Sequence, residues 1–405
     1  MPRWLYVICL LLISCLKENN FKPYSEPPQT YVDHKLKDEL TATQIAERIN
    51  TYIPGADQLL HTKYNVTVYR VSYQTHDYKN NVVIASGLVY IPELAYYYLP
   101  VISYQHGTSI RKTEVPSVSG DIDYYIPFMF ASETGAVVCE ADYIGLGFSE
   151  GTHHYFEPAE ESNAVIDLLR SIPPLFINTL RPLGLSRDVF LAGYSQGGHA
   201  TLAAQRDIET KYSDEFHLVA SAPMASFFSL ERSFQLNVLK DSVYYPVSSV
   251  YPYLIHSILS TQQPYPNSSD VFISPYDALE NILFDGEHDA DSVNADFPNY
   301  IFSALRPSFR NDLKNNPNSI FLQAVKKYDV INDWIPKTPT HFYHSEGDEI
   351  AFYDNSVIAS NIFKGKGGNV QLISLGNVSH LEGNILAIKA LREWFYPQVK
   401  IFSYR

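Results

Sequence analysis

The chain has 405 residues, enough for one large α/β domain with an insertion or for two ordinary domains. Hydrophobic residues make up 45% of the chain and charged residues 18%, a balance typical of a globular protein and not of a disordered one. The formal net charge of −14 disfavours binding to nucleic acid, itself a polyanion, and offers no polybasic surface to anionic lipids.

The first residues predict export and lipid attachment. Arg3 precedes an apolar run, residues 4–13, that is too short to span a bilayer as a helix. The run ends in Leu12-Ile13-Ser14-Cys15, which resembles the lipobox of bacterial lipoproteins, where lipid is joined to the cysteine sulfur. We therefore expect a signal peptide over residues 1–14 and a lipid anchor at Cys15 that holds the exported protein on a bacterial membrane, at the outer membrane or cell surface. The alternative is an ordinary signal peptide that happens to contain a cysteine.

The cysteines form no disulfide or zinc pattern. Cys9 would leave with the signal peptide and Cys15 would be acylated, so Cys139 stands alone in the mature chain. Cys139 lies in an apolar run that predicts a buried strand, so we expect it to belong to the core. The sequence predicts neither a metal site nor a cofactor.

The predicted elements begin after a polar, proline-bearing tether over residues 15–40. A helix starts at Thr41, and two strands follow at residues 66–72 and 82–91. Beyond residue 99, short apolar strands alternate with helices, the rhythm of a mainly parallel sheet covered on both faces. The predicted strands are 101–104, 136–141, 189–194, 218–222, 340–343 and 370–375, and the predicted helices are 158–172, 197–212, 353–363 and 381–395.

One long stretch interrupts this rhythm. Residues 227–337 are rich in Tyr, Pro, Asn and Asp, contain helical patches and lack the strand pattern. Because the stretch is too long for a bare loop, we predict a largely helical cap or lid inserted between two parts of an α/β core, residues 41–226 and 338–405. The 31 tyrosines would suit the walls of a site for an amphiphilic or sugar-like molecule.

The strongest catalytic pattern is Gly193-Tyr194-Ser195-Gln196-Gly197, a GxSxG sequence between a predicted strand and a predicted helix. In this context the serine occupies a strained turn and needs small neighbours two residues away, which Gly193 and Gly197 supply. Ser195 is therefore the predicted nucleophile. A second match, Gly147-Phe148-Ser149-Glu150-Gly151, has no helix starting at its serine and is assigned to a loop near the mouth of the site.

A serine nucleophile needs a base, and the base needs an acid that orients it. In a strand–turn–helix site of this kind, the chain order is serine, acid, histidine. Asp348 follows the predicted strand 340–343 in a tight turn and is the predicted acid, with Glu346 and Asp354 as alternatives.

The predicted base is His380, which follows the last predicted strand and directly precedes the closing helix. It alone among the thirteen histidines lies downstream of Asp348. His341 and His344 come before the acid, so the chain order disfavours both of them.

Two backbone N–H groups should form an oxyanion hole. One is that of Gln196, directly after the nucleophile. The other should come from Gln105-His106-Gly107-Thr108, the loop after a predicted strand, in which Gly107 allows close approach of the backbone. We predict the Thr108 N–H as the second donor, and expect His106 to brace this loop.

With these motifs, the chain resembles the secretory-lipase-like branch of the α/β-hydrolases, found as fungal secreted lipases and bacterial esterases. The resemblance spans about residues 41–396. It rests on Tyr104-Gln105-His106-Gly107-Thr108, Asp142-Tyr143-Ile144-Gly145-Leu146-Gly147, Gly193-Tyr194-Ser195-Gln196-Gly197-Gly198, Tyr343-His344 preceding Asp348, and Ser379-His380 followed by Gly383.

This resemblance implies the α/β-hydrolase fold with an inserted lid, and ester hydrolysis through an acyl-enzyme without a cofactor. It also implies Ser195 as nucleophile, Asp348 as acid, His380 as base and Thr108 as oxyanion donor. Two departures bear on the acid turn: Ser345 stands where the family often has glycine, and Ala351-Phe352 replaces the usual Val-Pro.

We therefore expect a monomeric serine carboxylic-ester hydrolase that acts on a small-molecule, lipid or acylated-carbohydrate ester. Serine peptidases of the same fold keep the triad and cleave amides, but they usually carry a propeller or an anchor for the peptide terminus, and neither pattern is found. A surface binding lipoprotein without catalytic activity would be marked by loss of Ser195, Asp348 or His380, and all three are present.

Overall fold

In the computed structural model, which describes residues 29–234 and 243–404, ten strands form one mixed sheet. Its order is β1-β2-β3-β5-β4-β6-β7-β8-β9, with β10 beside β4. The strands are β1 (Tyr31–Leu40), β2 (Val66–His76), β3 (Val82–Pro92), β4 (Tyr97–Gln105), β5 (Val137–Ala141), β6 (Leu183–Tyr194), β7 (His217–Met224), β8 (Thr340–His344), β9 (Val370–Ser374) and β10 (Phe402–Ser403).

The six strands from β5 to β9 in this order run parallel to one another, whereas β1, β2 and β3 are antiparallel to their neighbours. The predicted mainly parallel sheet is therefore confirmed. β6 begins six residues before its predicted start, because its first half is only half-buried and lacks the apolar run that marks the rest.

Twelve helices accompany the sheet in the described part of the chain. They are α1 (Ala42–Tyr52), α2 (Ile122–Thr134), α3 (Pro158–Asn178), α4 (Gln196–Lys211), α5 (Leu230–Ser233), α6 (Val250–Gln262), α7 (Tyr276–Leu283), α8 (Ala290–Asp296), α9 (Pro307–Asn315), α10 (Ile320–Val325), α11 (Asp354–Gly365) and α12 (His380–Phe395). No predicted helix corresponds to α2, because its apolar residues surround the helix and Pro127 lies within it. None of the described helices is long and apolar enough to cross a membrane.

The helices cover both faces of the sheet because side chains alternate along each strand. Val101 of β4 and Leu191 of β6 join a buried cluster with α3 and α4. Their chain neighbours Ile102 and Ala192 point the other way, into a cluster with α1, α2 and α12. The predicted core residue Cys139 is fully buried in the first cluster.

The N-terminal prediction needs one correction. Residues 31–40, predicted as part of the tether, form β1, which pairs with β2 from Tyr31 to Leu40. Most side chains of β1 are exposed or half-buried, because an edge strand has one neighbour and a solvent-facing surface, so its composition resembles that of a linker. The predicted signal peptide and Cys15 lie outside the described residues.

The stretch between β7 and β8 contains helices α5 to α10. Within its described residues it has no strand and only one isolated β-bridge, between Phe272 and Leu305. Most of its buried apolar side chains pack in one cluster with Ile110, Tyr155 and Phe156, which belong to loops at the end of the sheet, whereas Phe228, Val330, Ile331 and Trp334 join a second cluster beside β8 and α11. The predicted cap boundaries at residues 227 and 337 remain predictions.

Candidate active site

Ser195 lies in a sharp turn between β6 and α4. Its backbone angles, φ 59° and ψ −124°, are strained for a residue with a side chain. The turn is held by the Ser195 N–H, which donates to the carbonyl oxygen of Met224 at the end of β7 (3.1 Å). A Cβ atom at Gly197 would collide with the carbonyl of Gln105, and one at Gly193 with the carbonyl of Gly197. Both elbow glycines are therefore required by the close approach of neighbouring backbone.

The serine of the second GxSxG sequence has a different environment. Ser149 is buried, and its hydroxyl accepts a hydrogen bond from the backbone N–H of Ser86 in β3 (2.9 Å). No helix begins at Ser149. Its hydroxyl is therefore part of the packing of a loop against the sheet.

The predicted acid and base are in direct contact. Nδ1 of His380 lies 2.6 Å from Oδ2 of Asp348, and both side chains are buried. Because an ionised carboxylate only accepts hydrogen bonds, Nδ1 carries the hydrogen and Nε2 is left able to accept a proton.

The local sequence explains why His380 stands at this point. Ser379 and Glu382 form a capping box, in which the Ser379 hydroxyl accepts from the Glu382 N–H and the Glu382 carboxylate accepts from the Ser379 N–H. The capping box makes His380 the first residue of α12. Glu349 then accepts a hydrogen bond from the His380 N–H (3.1 Å), which ties the helix start to the acid turn.

Asp348 is held on both of its oxygens. Oδ1 accepts hydrogen bonds from the N–H groups of Ile350 (2.9 Å) and Ala351 (2.7 Å). Oδ2 accepts from His380 and also from Nε2 of His344 (3.1 Å). Burial alone would raise the pKa of Asp348, but the hydrogen bonds from the two histidines outweigh burial and hold the pKa well below its usual range.

The two alternative acids are placed elsewhere. Glu346 accepts a hydrogen bond from the hydroxyl of Ser374 (2.7 Å), and Asp354 is exposed in the first turn of α11. Of the three candidates, the structure brings only Asp348 into hydrogen-bond contact with His380.

The sequence did not indicate His344 as a partner of the acid, because chain order selects only the histidine that acts as base. His344 ends β8 four residues before Asp348 and is completely buried. A histidine at the end of the strand that leads into the acid turn is the pattern that could have indicated it.

The two departures from the family pattern, at Ser345 and at Ala351-Phe352, change the hydrogen bonds and the backbone of the acid turn. The Ser345 hydroxyl donates to the carbonyl of Gly376 (3.0 Å) and accepts from the N–H of Val378 (3.1 Å), so it joins the acid turn to the loop before His380. Phe352 has φ 41°, which proline cannot adopt. This turn therefore follows a backbone path that the usual Val-Pro could not.

The loop after β4 lies beside the nucleophile. A Cβ atom at Gly107 would be 3.9 Å from Cβ of Ser195. Within residues 29–234 and 243–404, neither the Thr108 N–H nor the Gln196 N–H donates a hydrogen bond to a protein acceptor. The Thr108 hydroxyl pairs with that of Tyr155 (2.7 Å), and His106, predicted to brace the loop, bonds through Nδ1 to the carbonyl of Gly107 (2.8 Å).

A buried polar network holds the side chain of Gln196. Its amide nitrogen lies 3.1 Å from Glu161 and 3.0 Å from Nε2 of His153. Glu161 also binds His199 (2.6 Å), whose other ring nitrogen faces the carbonyl of Tyr328 near the end of the 227–337 segment (2.9 Å). Burial lowers the pKa of His153 to about 3, so this ring is neutral.

The described part of the chain contains no group of three or more His, Cys, Asp or Glu side chains that could hold a metal ion. The polar groups of the site are the serine, the histidines, the carboxylate and two N–H groups. Such a set can transfer a proton from the serine hydroxyl and stabilise an oxyanion.

The chain matches no protein-family model and no curated protein, but it is similar to several solved structures. A protein of Legionella pneumophila has a TM-score of 0.83 at 24% identity, over 91% of this chain and 98% of the other. LipA of Xanthomonas oryzae, a rice cell wall degrading esterase, has a TM-score of 0.82 at 27% identity, over 92% of this chain and 100% of the other. Lipase A of Candida antarctica, in its closed state, has a TM-score of 0.66 at 17% identity, over 93% of this chain and 82% of the other.

Proposed function

We propose, from the α/β-hydrolase fold that the chain shares with an esterase and a lipase, that this protein is a serine carboxylic-ester hydrolase. The observation that carries the proposal is the buried 2.6 Å hydrogen bond between His380 and Asp348. This hydrogen bond belongs to the same site as the strained elbow of Ser195, because the hydroxyl of Tyr194, the residue before the serine, donates to the backbone carbonyl of His380. The chain is thereby supplied with a nucleophile, a base and an orienting acid.

In the proposed reaction, Oγ of Ser195 attacks the ester carbonyl carbon while Nε2 of His380 takes the hydroxyl proton. Asp348 keeps the ring in the required tautomer and stabilises the imidazolium that forms. The N–H groups of Gln196 and Thr108 donate to the oxyanion, and they suit this role because no acceptor among the described residues occupies them.

The tetrahedral intermediate then collapses, and the alcohol leaves with the proton from His380. The acyl group remains on Ser195 as an ester. Water attacks this acyl-enzyme with His380 again acting as base, and the carboxylic acid is released with free serine.

The proposed substrates are small-molecule, lipid or acylated-carbohydrate esters. Support comes from the neighbours, one a cell wall degrading esterase and one a lipase, and from the aromatic residues of the 227–337 segment. In that segment, Tyr253 stacks on Tyr155 of the core loop at 4.6 Å between ring centroids, and on Phe284 at 4.8 Å. These three rings are buried, so the stack packs the segment against Tyr155, whose hydroxyl pairs with that of Thr108 beside the proposed site.

The test is hydrolysis of p-nitrophenyl esters from acetate to palmitate by residues 16–405. We expect Ser195→Ala to lower kcat/KM by about 10⁴-fold or more, because the nucleophile is lost. Ser149→Ala is the matched control, since it removes the serine of the other GxSxG sequence, and it should keep the activity. The optimum chain length would separate an esterase from a lipase.

Activity that survives Ser195→Ala would refute the proposal. Absence of activity on every ester would do the same and would favour the peptidase or the binding lipoprotein. Reaction with a fluorophosphonate probe distinguishes these two, because a peptidase of this fold would be labelled at Ser195 and a binding protein would not.

We also propose that the protein is exported and lipid-anchored to a bacterial membrane through Cys15. Support comes from Leu12-Ile13-Ser14-Cys15, which lies outside the described residues. Metabolic labelling with a fatty-acid analogue should label the natural chain and leave Cys15→Ser unlabelled and released from the membrane fraction. Equal labelling of both proteins would refute the anchor without affecting the proposed hydrolase.

A further inference from the structure

We propose that His344 is a positioning residue that acts through Asp348: it is a second hydrogen-bond donor to Oδ2 and thereby adjusts how Asp348 orients and stabilises the ring of the base His380. This inference rests on the proposed function. Chain order disfavours His344 as the base of the triad, but it leaves this role open.

Each ring nitrogen of His344 has a hydrogen-bond partner. Nε2 lies 3.1 Å from Oδ2 of Asp348, and Nδ1 lies 2.7 Å from the hydroxyl of Ser356 on α11. The side chains of His344 and Asp348 are both fully buried, so water does not replace either partner. Nε2 therefore shares its acceptor oxygen with Nδ1 of His380, which lies 2.6 Å away.

These partners determine the tautomer of His344. The Asp348 carboxylate can only accept, so Nε2 carries the hydrogen, while Nδ1 can accept the hydroxyl hydrogen of Ser356. Burial lowers the pKa of His344 more than the neighbouring carboxylate raises it, so the ring stays neutral. His344 is thus a donor without a charge of its own.

Among the described residues, four other titratable side chains face His344, Asp348 or His380. Tyr353 lies against the His344 ring, with 5.6 Å between ring centroids. The others face Asp348 or His380, and they are Tyr194, Tyr245 and Glu349.

Two consequences follow from the shared oxygen. First, donors on both oxygens of Asp348 prevent rotation of the carboxylate and keep Oδ2 directed at His380. Second, the hydrogen bond from His344 withdraws negative charge from Oδ2, so that Asp348 stabilises the imidazolium of His380 less than it would alone. Removing the His344 donor should therefore leave more negative charge on Oδ2, strengthen its attraction for the imidazolium of His380 and also loosen the orientation of this ring.

Two substitutions separate these contacts. The side-chain end of His344→Asn reaches the position of Nδ1, so it can keep Ser356 but loses Asp348. That of His344→Gln reaches the position of Nε2, so it can restore the donor to Asp348. We expect the acidic limb of the kcat/KM profile of His344→Asn to move up by about one pH unit. We also expect its maximum to fall about tenfold, against about 10²–10⁴-fold for complete loss of general-base catalysis. His344→Gln should stay near the natural profile.

Equal profiles for His344→Asn and the natural protein would overturn the proposal. So would a loss of activity in both variants that follows their melting temperatures without any movement of the acidic limb, because that is the signature of a purely structural role. The Ser195→Ala variant is measured beside them. If it is inactive while His344→Asn is normal, only this inference fails; if Ser195→Ala is active, the proposed function and this inference fail together.

A measurement on the natural protein covers the case in which His344→Asn does not fold. Histidine ¹⁵N NMR reports which ring nitrogen carries hydrogen. The proposal requires His344 to remain in the neutral Nε2–H form across the pH range of ester hydrolysis. A His344 ring that is protonated there, or that carries its hydrogen on Nδ1, would overturn the proposal.

Discussion

The hydroxyl of Tyr194 donates a 2.7 Å hydrogen bond to the backbone carbonyl of His380, and the two rings lie 4.9 Å apart. The residue next to the proposed nucleophile thus binds the backbone of the proposed base across 186 positions of sequence. Gly383 permits this contact, since a Cβ atom there would come within 2.8 Å of the Tyr194 hydroxyl. The elbow and the start of α12 are therefore positioned against each other directly.

The first prediction concerns this tether. Tyr194→Phe removes the hydroxyl and should cost about 1 kcal/mol of unfolding free energy. Because small displacements of a catalytic group reduce rates by up to about a hundredfold, kcat/KM should fall about tenfold. Tyr73→Phe is the matched control, since its buried hydroxyl also donates to a backbone carbonyl, that of Ala164 (2.9 Å). Thermal melting should show a similar loss of stability in both variants, whereas ester hydrolysis should show a loss of kcat/KM in Tyr194→Phe alone. Equal values of kcat/KM in the two variants would contradict the prediction.

The second prediction concerns the choice of acid. Asp348→Asn should lower kcat by about 10⁴-fold with the fold intact, because the amide no longer holds His380 in the required tautomer. Asp354→Asn removes a carboxylate of the same type and should change kcat by less than about twofold, because Asp354 is exposed and lies outside the His380 contact. Steady-state kinetics on one ester with both variants is sufficient. A large loss in Asp354→Asn, or none in Asp348→Asn, would show that the acid is misassigned.

The third prediction concerns the elbow glycines. Gly197→Ala would place a methyl group against the Gln105 carbonyl, with an expected cost of about 3 kcal/mol and loss of activity. Gly365→Ala is the control, because no atom lies within 4 Å of the added Cβ, and its stability should be unchanged or slightly raised. Urea unfolding and ester hydrolysis measure both effects. A fully active, stable Gly197→Ala would mean that the elbow relaxes more easily than its contacts indicate.

The fourth prediction concerns pH and the neutral ring of His153. Its pKa is about 3 in the folded protein and near 6.5 when unfolded, so protonation favours the unfolded state. The contribution of His153 to stability is therefore present above pH 6.5 and is lost as the pH falls from 6.5 towards 3. Over this range the unfolding free energy should fall by about 1.4 kcal/mol per pH unit because of this residue.

His153→Asn tests this contribution, since asparagine can still donate to the carbonyl of Ile144 at the position of Nδ1. Urea unfolding at pH 7 and pH 5 should show a loss of stability on acidification about 2 kcal/mol larger in the natural protein than in the variant. Other groups that titrate in this range are common to both proteins and cancel. Parallel curves for His153→Asn and the natural protein would refute the prediction.

The sequence alone predicted the features that depend on local pattern. Alternating apolar strands and helices indicated the parallel sheet, and the structural neighbours confirm the α/β-hydrolase fold. The candidate residues Ser195, Asp348 and His380 could be named because each lies at a strand end followed by a turn or helix, and because their order along the chain is restricted by the fold. Glycine spacing and the capping box act within a few residues, so they are visible in the sequence.

Only the tertiary structure decided how distant segments meet. β1 has the composition of a linker and becomes a strand because β2 offers it hydrogen-bond partners. The second donor to Asp348 and the tether from Tyr194 depend on the directions in which side chains point across packed elements. The Gln196 network joins Glu161 and His153, which lie 35 and 43 residues away in sequence. Such contacts leave no periodic pattern, because residues far apart in the chain are brought together by the folding of the whole sheet.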